Sequence, residues 1–172
     1  MIEPYKPFER PSWDDYFMIQ AILAKSRSNC LSRQIGAVLV KNNRQISTGY
    51  NGTPMGIINC FEGGCKRCSE RINGVIKSGE SLDRCICVHA EANAIMQCVM
   101  FGNAGSTSNA TLYSTLSPCI ECSKMAITVG IGRIVVLSKY TEDGTEILKQ
   151  ANIQLSEMDP SKLQYWLLKL CN

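Results

Sequence analysis

Val88-His89-Ala90-Glu91-Ala92-Asn93-Ala94-Ile95 is the stretch on which the fold turns. Ala90, Ala94, Ile95 and Cys98 recur at helical spacing, so a helix with one apolar face is expected from about His89 to Met100. Upstream of it, Ile35-Gly36-Ala37-Val38-Leu39-Val40 and Gln45-Ile46-Ser47-Thr48-Gly49-Tyr50 flank Asn42-Asn43, two residues that tolerate the positive φ of a tight turn; this reads as an antiparallel hairpin. Downstream, a glycine-rich turn leads into the strand Ala110 to Thr115. Ser117 and Pro118 then open another helix, proline being tolerated at a first helical position, and the strand Arg133 to Leu137 follows Gly130. A helix near Asp143 to Ala151, a short strand near Ile153 to Leu155 and a helix from Pro160 end the pattern.

At the other end, Ser12 suits an N-cap: Asp14 and Asp15 favour a helix start, and Trp13, Phe17, Ala21 and Ala24 carry the spacing to about Ser26. The residues before it, with Pro4, Pro7 and Pro11, read as an irregular arm. Strands alternating with helices imply an α/β fold, a central sheet covered by helices, with the first hairpin antiparallel and the last two strands parallel. A chain of 172 residues is the length of one domain.

Eighteen basic residues against 15 acidic ones, with no basic block, give little long-range attraction for a polyanion, so a nucleotide-sized partner suits the chain better than a nucleic acid. Met1-Ile2-Glu3-Pro4-Tyr5-Lys6-Pro7 lacks the apolar run of a signal peptide, and no segment approaches a membrane span. Ten cysteines in a reducing compartment, the cytoplasm or a nucleus, are then more often metal ligands than disulfides.

His89 is the only histidine, and Pro118-Cys119-Ile120-Glu121-Cys122 follows a little over two dozen residues after Glu91. Cys119 and Cys122, three apart in the first turn of a helix, share a face and can grip one ion, with the positive helix end favouring their thiolates. One imidazole and two thiolates hold zinc while leaving a coordination position open, the mark of a reactive rather than a closed structural site. Glu91, two residues after His89, is placed to stand beside that position rather than to fill it, and is the candidate proton carrier.

A second set, Cys60, Cys65, Cys68, Cys85 and Cys87, lies in an aperiodic, Gly- and Cys-rich segment from about 51 to 88 that is too long for an unsupported loop. Four of these five could close an all-thiolate structural zinc site and order the segment. Which one stands aside is not legible. Cys30, Cys98 and Cys171 look isolated, Cys98 being a small core residue.

Together with Arg27-Ser28-Asn29-Cys30, Arg33-Gln34-Ile35-Gly36-Ala37, Gly49-Tyr50-Asn51-Gly52-Thr53-Pro54 and Leu116-Ser117-Pro118-Cys119-Ile120-Glu121-Cys122, these motifs resemble those of the deoxycytidylate (dCMP) deaminase family within the cytidine deaminase superfamily. The resemblance runs from about Trp13 to about Leu155. It implies a three-layer α/β/α fold with a five-stranded mixed sheet, conversion of dCMP to dUMP with release of ammonia for thymidylate synthesis, and a homohexamer. It also implies activation by dCTP and inhibition by dTTP, with Mg²⁺ on the effector phosphates. By position Asn51 resembles the residue that hydrogen-bonds the nucleotide, with Arg27, Arg33 and Tyr50 as phosphate or effector contacts. Each has a plainer reading: a turn residue for Asn51, solvated charges for the arginines, packing for Tyr50.

Three rivals share some of these features. A deaminase acting on dCTP as well would differ only in pocket contacts. A tRNA or polynucleotide deaminase should carry a basic channel with aromatic platforms, which 7% aromatic residues and near-balanced charge do not suggest. A non-enzymatic zinc adaptor would have no use for Glu91.

Overall fold

The computed structural model describes residues 9–102, 104–140 and 144–170. Helix α1 (Trp13–Lys25) is followed by strands β1 (Gly36–Lys41) and β2 (Arg44–Tyr50), helices α2 (Lys66–Ile72) and α3 (Ala90–Met100) and strand β3 (Thr111–Ser114). Helix α4 (Ile120–Thr128), strand β4 (Arg133–Val136), helix α5 (Thr145–Gln150), strand β5 (Gln154–Glu157) and helix α6 (Pro160–Leu170) complete the order.

The five strands form one mixed sheet in the order β2-β1-β3-β4-β5. β1 runs antiparallel to both β2 and β3, whereas β3, β4 and β5 are parallel. Asn42 and Asn43 turn the hairpin at φ 50° and 55°, the left-handed conformation expected of them.

Alternation along the buried strands sorts the core into two layers. Ala37, Leu39, Leu112, Ile134 and Val136 face Ala90, Ala94, Cys98, Ala126 and Leu148 of α3, α4 and α5. On the other face Val38, Val40, Tyr113 and Val135 pack on Phe17, Met18 and Ala21 of α1 and Leu163 of α6. The expected three-layer α/β/α architecture follows. Cys98 is wholly buried in the first layer, as its spacing implies.

Two glycines set how closely helices approach the sheet. A Cβ on Gly36 would lie 2.0 Å from the Ala21 carbonyl oxygen of α1, and one on Gly49 would lie 2.1 Å from the Ala90 carbonyl oxygen of α3. Only a residue without a side chain lets α3, which begins with the candidate site, lie directly on β2.

The differences from the sequence reading are local. The aperiodic segment contains α2 and single 3₁₀ turns at Cys60–Glu62 and Leu82–Arg84. Helix α2 has no amphipathic signature because it buries Arg67 and Cys68 rather than an apolar stripe. The helix after Pro118 starts later than expected, at Ile120, because Cys119 takes the extended N-cap conformation at φ −67°, ψ 172°. Pro4, Pro7, Asp143 and Cys171 lie outside the described residues. No helix among the described residues is long and apolar enough to cross a membrane.

Candidate metal and active site

His89 and Cys119 are the N-cap residues of α3 and α4, and Cys122 lies in the first turn of α4. The isolated bridge between Gly52 and Val88, with backbone hydrogen bonds of 3.1 and 2.8 Å, ties the chain just after β2 to the residue before His89. Cys119 Sγ lies 3.3 Å and Cys122 Sγ 3.5 Å from His89 Nδ1. A tetrahedral ion with Zn–S near 2.3 Å and Zn–N near 2.05 Å separates its sulfur and nitrogen ligands by about 3.6 Å, so the three donors stand at the spacing zinc demands. The hydrogen bond from Cys122 brings the Cys119 thiol down to about 3, and bonding to Cys119 takes His89 up to about 9. Cys122, next to that thiolate and buried, is pushed up. A divalent cation among the three removes the penalty on the second thiolate.

Glu91 is 4% exposed and accepts a 2.9 Å hydrogen bond from Ser114 Oγ at the end of β3. Burial pushes its carboxyl above the usual carboxylate range. It is therefore a buried, hydrogen-bonded carboxyl that does not belong to the donor set.

One cavity joins these groups: His89, Glu91 and Cys119 line it together with Asn51, Arg33 and Arg67. Asn51 is buried, and its side chain organises the loop before β1: Oδ1 accepts from Ser28 Oγ and the Ile35 amide at 2.7 Å each, and Nδ2 donates to the Arg33 carbonyl at 2.7 Å. Its second Nδ2 hydrogen is left over from these bonds. The Arg33 guanidinium lies 5.4 Å from the Tyr140 ring centroid. Arg27 is exposed, and Tyr50, 37% exposed, receives the Asn93 side-chain amide on its carbonyl; neither lines the cavity.

Arg67 has no counterpart among the residues that spacing singles out. It is 5% exposed and donates to the Glu80 carbonyl through Nε and Nη2 at 3.0 and 2.8 Å, strapping the 77–84 loop to α2. A buried arginine inside a cysteine-rich insertion carries no periodic signal.

The second thiol set departs from the expectation at one residue. Cys30, isolated in the sequence, joins it: Cys30, Cys60, Cys68 and Cys87 bring their sulfurs within 4.8 Å of one another, as do Cys65, Cys68, Cys85 and Cys87. The loop after α1 reaches the insertion because Asn29 Nδ2 donates to Asn59 Oδ1 at 2.8 Å and Asn29 Oδ1 accepts from the Thr53 amide at 3.0 Å. A contact across 30 residues of chain leaves no trace in local spacing. Hydrogen bonds from Cys87 set both Cys30 and Cys85 down to about 5.

Fold and site define a three-layer α/β/α protein in which two helix N-termini present one imidazole and two cysteine sulfurs next to an acid outside that donor set. The chain belongs to the cytidine and deoxycytidylate deaminase family, whose zinc-binding-region model matches residues 11–138. It is 45% identical to the deoxycytidylate deaminase of Schizosaccharomyces pombe over 88% of this chain and 45% of that one. It is 41% identical to the deoxycytidylate deaminase of Mycobacterium phage D29 over 73% of this chain and 94% of that one. The dCMP deaminase of cyanophage S-TIM5, solved with dCMP and dUMP, superposes with a TM-score of 0.70 at 29% identity over 88% of this chain and all of that one. The chain spans about half the length of the fungal relatives it matches.

Proposed function

We propose that the chain hydrolyses dCMP to dUMP and ammonia. The observation that carries this reading is Glu91, a buried carboxyl hydrogen-bonded by Ser114 that lines one cavity with His89 and Cys119 of the donor set. His89, Cys119 and Cys122 would hold a zinc ion, which supplies Lewis acidity and draws the pKa of a water down to about 7. In the reaction the oxygen of water replaces the exocyclic amine on the cytosine ring, and the two water protons end on the ring nitrogen and the leaving ammonia. Glu91 accepts and returns those protons, and its raised affinity for a proton suits both halves of the task. Ser114 keeps the carboxyl turned toward the cavity. Asn51 offers its remaining Nδ2 hydrogen to the nucleotide, and Arg33, fixed over Tyr140, offers a guanidinium to its phosphate.

The relatives' names support dCMP as substrate. Family resemblance also supports a homohexamer feeding thymidylate synthesis in the cytoplasm, with dCTP activating, dTTP inhibiting and Mg²⁺ on the effector phosphates; Arg27 and Tyr50, outside the cavity, fit effector contacts better than substrate contacts. The thiol set of the insertion supports a structural zinc site. Ammonia release from dCMP, dCDP, dCTP and deoxycytidine, measured side by side with and without dTTP, tests the reading. The expected result is a preference for dCMP that dTTP depresses. Activity confined to the unphosphorylated nucleoside overturns it.

A further inference from the structure

We propose that the insertion holds two zinc ions rather than one, in a binuclear cluster built by six cysteines with Cys68 and Cys87 bridging. This rests on the structural-zinc reading of the insertion and is independent of the deaminase reading.

The two quartets share Cys68 and Cys87 and are otherwise distinct, one completed by Cys30 and Cys60 and the other by Cys65 and Cys85. Sulfurs at the corners of a tetrahedron around zinc, with Zn–S near 2.3 Å, stand about 3.8 Å apart. Cys30 and Cys68 are separated by 3.9 Å, Cys65 and Cys85 by 3.9 Å, and Cys68 and Cys85 by 3.8 Å. One of these pairs lies in the first quartet and two in the second, each at the zinc spacing, and the remaining sulfurs of each quartet lie within 4.8 Å of one another. A single ion must choose between them. It then leaves either Cys65 and Cys85 or Cys30 and Cys60 as spare thiols beside the ion.

Charge does not oppose the second ion. One zinc with four thiolates releases four protons and carries a net charge of −2; two zinc ions with six thiolates release six protons and carry the same −2. The second ion thus converts two further thiols into ligands at no cost in net charge. The Leu31 amide donates to Cys60 Sγ at 3.2 Å, an N–H to sulfur bond of the kind that steadies a thiolate ligand.

Packing points the same way. Cys60, Cys65 and Cys68 are at most 1% exposed, whereas the apolar side chains of this segment turn outward: Met55 is fully exposed, and Ile57, Ile58, Phe61 and Val75 are each more than half exposed. The apolar interior of the insertion is its sulfur atoms. Six sulfurs gather in the place where a domain of this size would put leucines.

The test is a zinc count on intact protein. Native mass spectrometry of the wild-type chain is expected to give three zinc ions per chain, two in the cluster and one at His89. Zinc X-ray absorption is expected to show a zinc–zinc scattering path. A Cys119→Ala variant, stripped of its loosely held ion, is expected to keep two, each coordinated by sulfur alone. Two ions in the wild type, one in the variant and no zinc–zinc path overturn the binuclear cluster while leaving a single structural zinc standing. A variant without zinc overturns both. If Cys119→Ala does not fold, the wild-type count and the zinc–zinc path decide the matter.

Discussion

The protein carries two sulfur-rich centres that relate to the fold in opposite ways. His89, Cys119 and Cys122 sit on helices whose positions are set by a sheet and by layers of aliphatic side chains. The six cysteines of the insertion and its neighbouring loop have no such layers and form the interior themselves. The first centre is a guest of the fold and is free to do chemistry; the second is the fold of its region. Removing an ion from the first should cost activity and little structure, and removing metal from the second should cost structure.

The largest expected effect belongs to the first centre. Glu91→Gln keeps the shape and the hydrogen bond from Ser114 but cannot carry a proton, so kcat is expected to fall about a hundredfold to ten-thousandfold. Zinc content and melting temperature should stay at wild-type values. Retained turnover would take the proton-carrying role away from Glu91, and lost zinc would make Glu91 a ligand.

Cys68→Ala is the corresponding blow to the second centre, since Cys68 belongs to both quartets. Amide exchange across residues 51–87 is expected to quicken about a hundredfold, equivalent to about 3 kcal/mol of local stability, while β1 and β3 keep their protection. Cys119→Ala should show the reverse pattern, with exchange in the insertion unchanged and turnover gone. Equal exchange profiles for the two variants would erase the distinction between guest and framework.

The same contrast separates what the amino-acid sequence makes legible from what it hides. Amphipathic spacing in α1 and α3, the Asn42-Asn43 turn and the β-branched runs all encode local geometry, and the sheet follows from them. His89, Glu91, Cys119 and Cys122 are legible because their spacing places them within single helical turns. Cys30 and α2 are hidden for one shared reason: in the insertion long-range sulfur contacts replace apolar periodicity, and sulfur contacts have no period. Arg67 is invisible for the same cause. The sequence points to Asn51 as a working residue but not to its three bonds with the loop before β1.

Two glycines permit a matched steric insult to each region. A Cβ at Gly49 lies 2.1 Å from the Ala90 carbonyl oxygen, and one at Gly64 lies 1.9 Å from the Ile58 carbonyl oxygen. Gly49→Ala pushes α3 off the sheet and is expected to lower global stability by about 1 to 3 kcal/mol, with a fall in kcat because His89 and Glu91 ride on that helix. Gly64→Ala is expected to leave the global denaturation midpoint in place and to loosen only residues 51–87. A shared global loss in urea denaturation would mean that the insertion folds with the sheet as one cooperative unit.

The smallest effect is electrostatic and confined to the sheet half. Asp14 of α1 accepts from both terminal nitrogens of Arg133 at 2.8 and 2.6 Å and from the Tyr113 hydroxyl at 2.7 Å, which fastens α1 to β4 and β3. The Arg133 guanidinium holds the Asp14 carboxyl below its ordinary value of 3.8. A group whose folded-state pKa is depressed contributes stability that is complete above the unfolded value and is lost as pH falls through the folded one. Asp14→Asn is therefore expected to cost about 1 kcal/mol near neutral pH, a modest figure because both partners are about one-third exposed and screened by solvent. That difference should shrink toward zero once both proteins are studied well below pH 3.8, where wild-type Asp14 is itself protonated. Urea denaturation across the acid range measures it, and a deficit that grows toward acid pH would contradict the assignment. Exchange in the insertion should not respond at either pH, since Tyr113 and Arg133 both belong to the sheet; if it does, the two regions are coupled through α1 and the thiol cage is less self-reliant than its packing indicates.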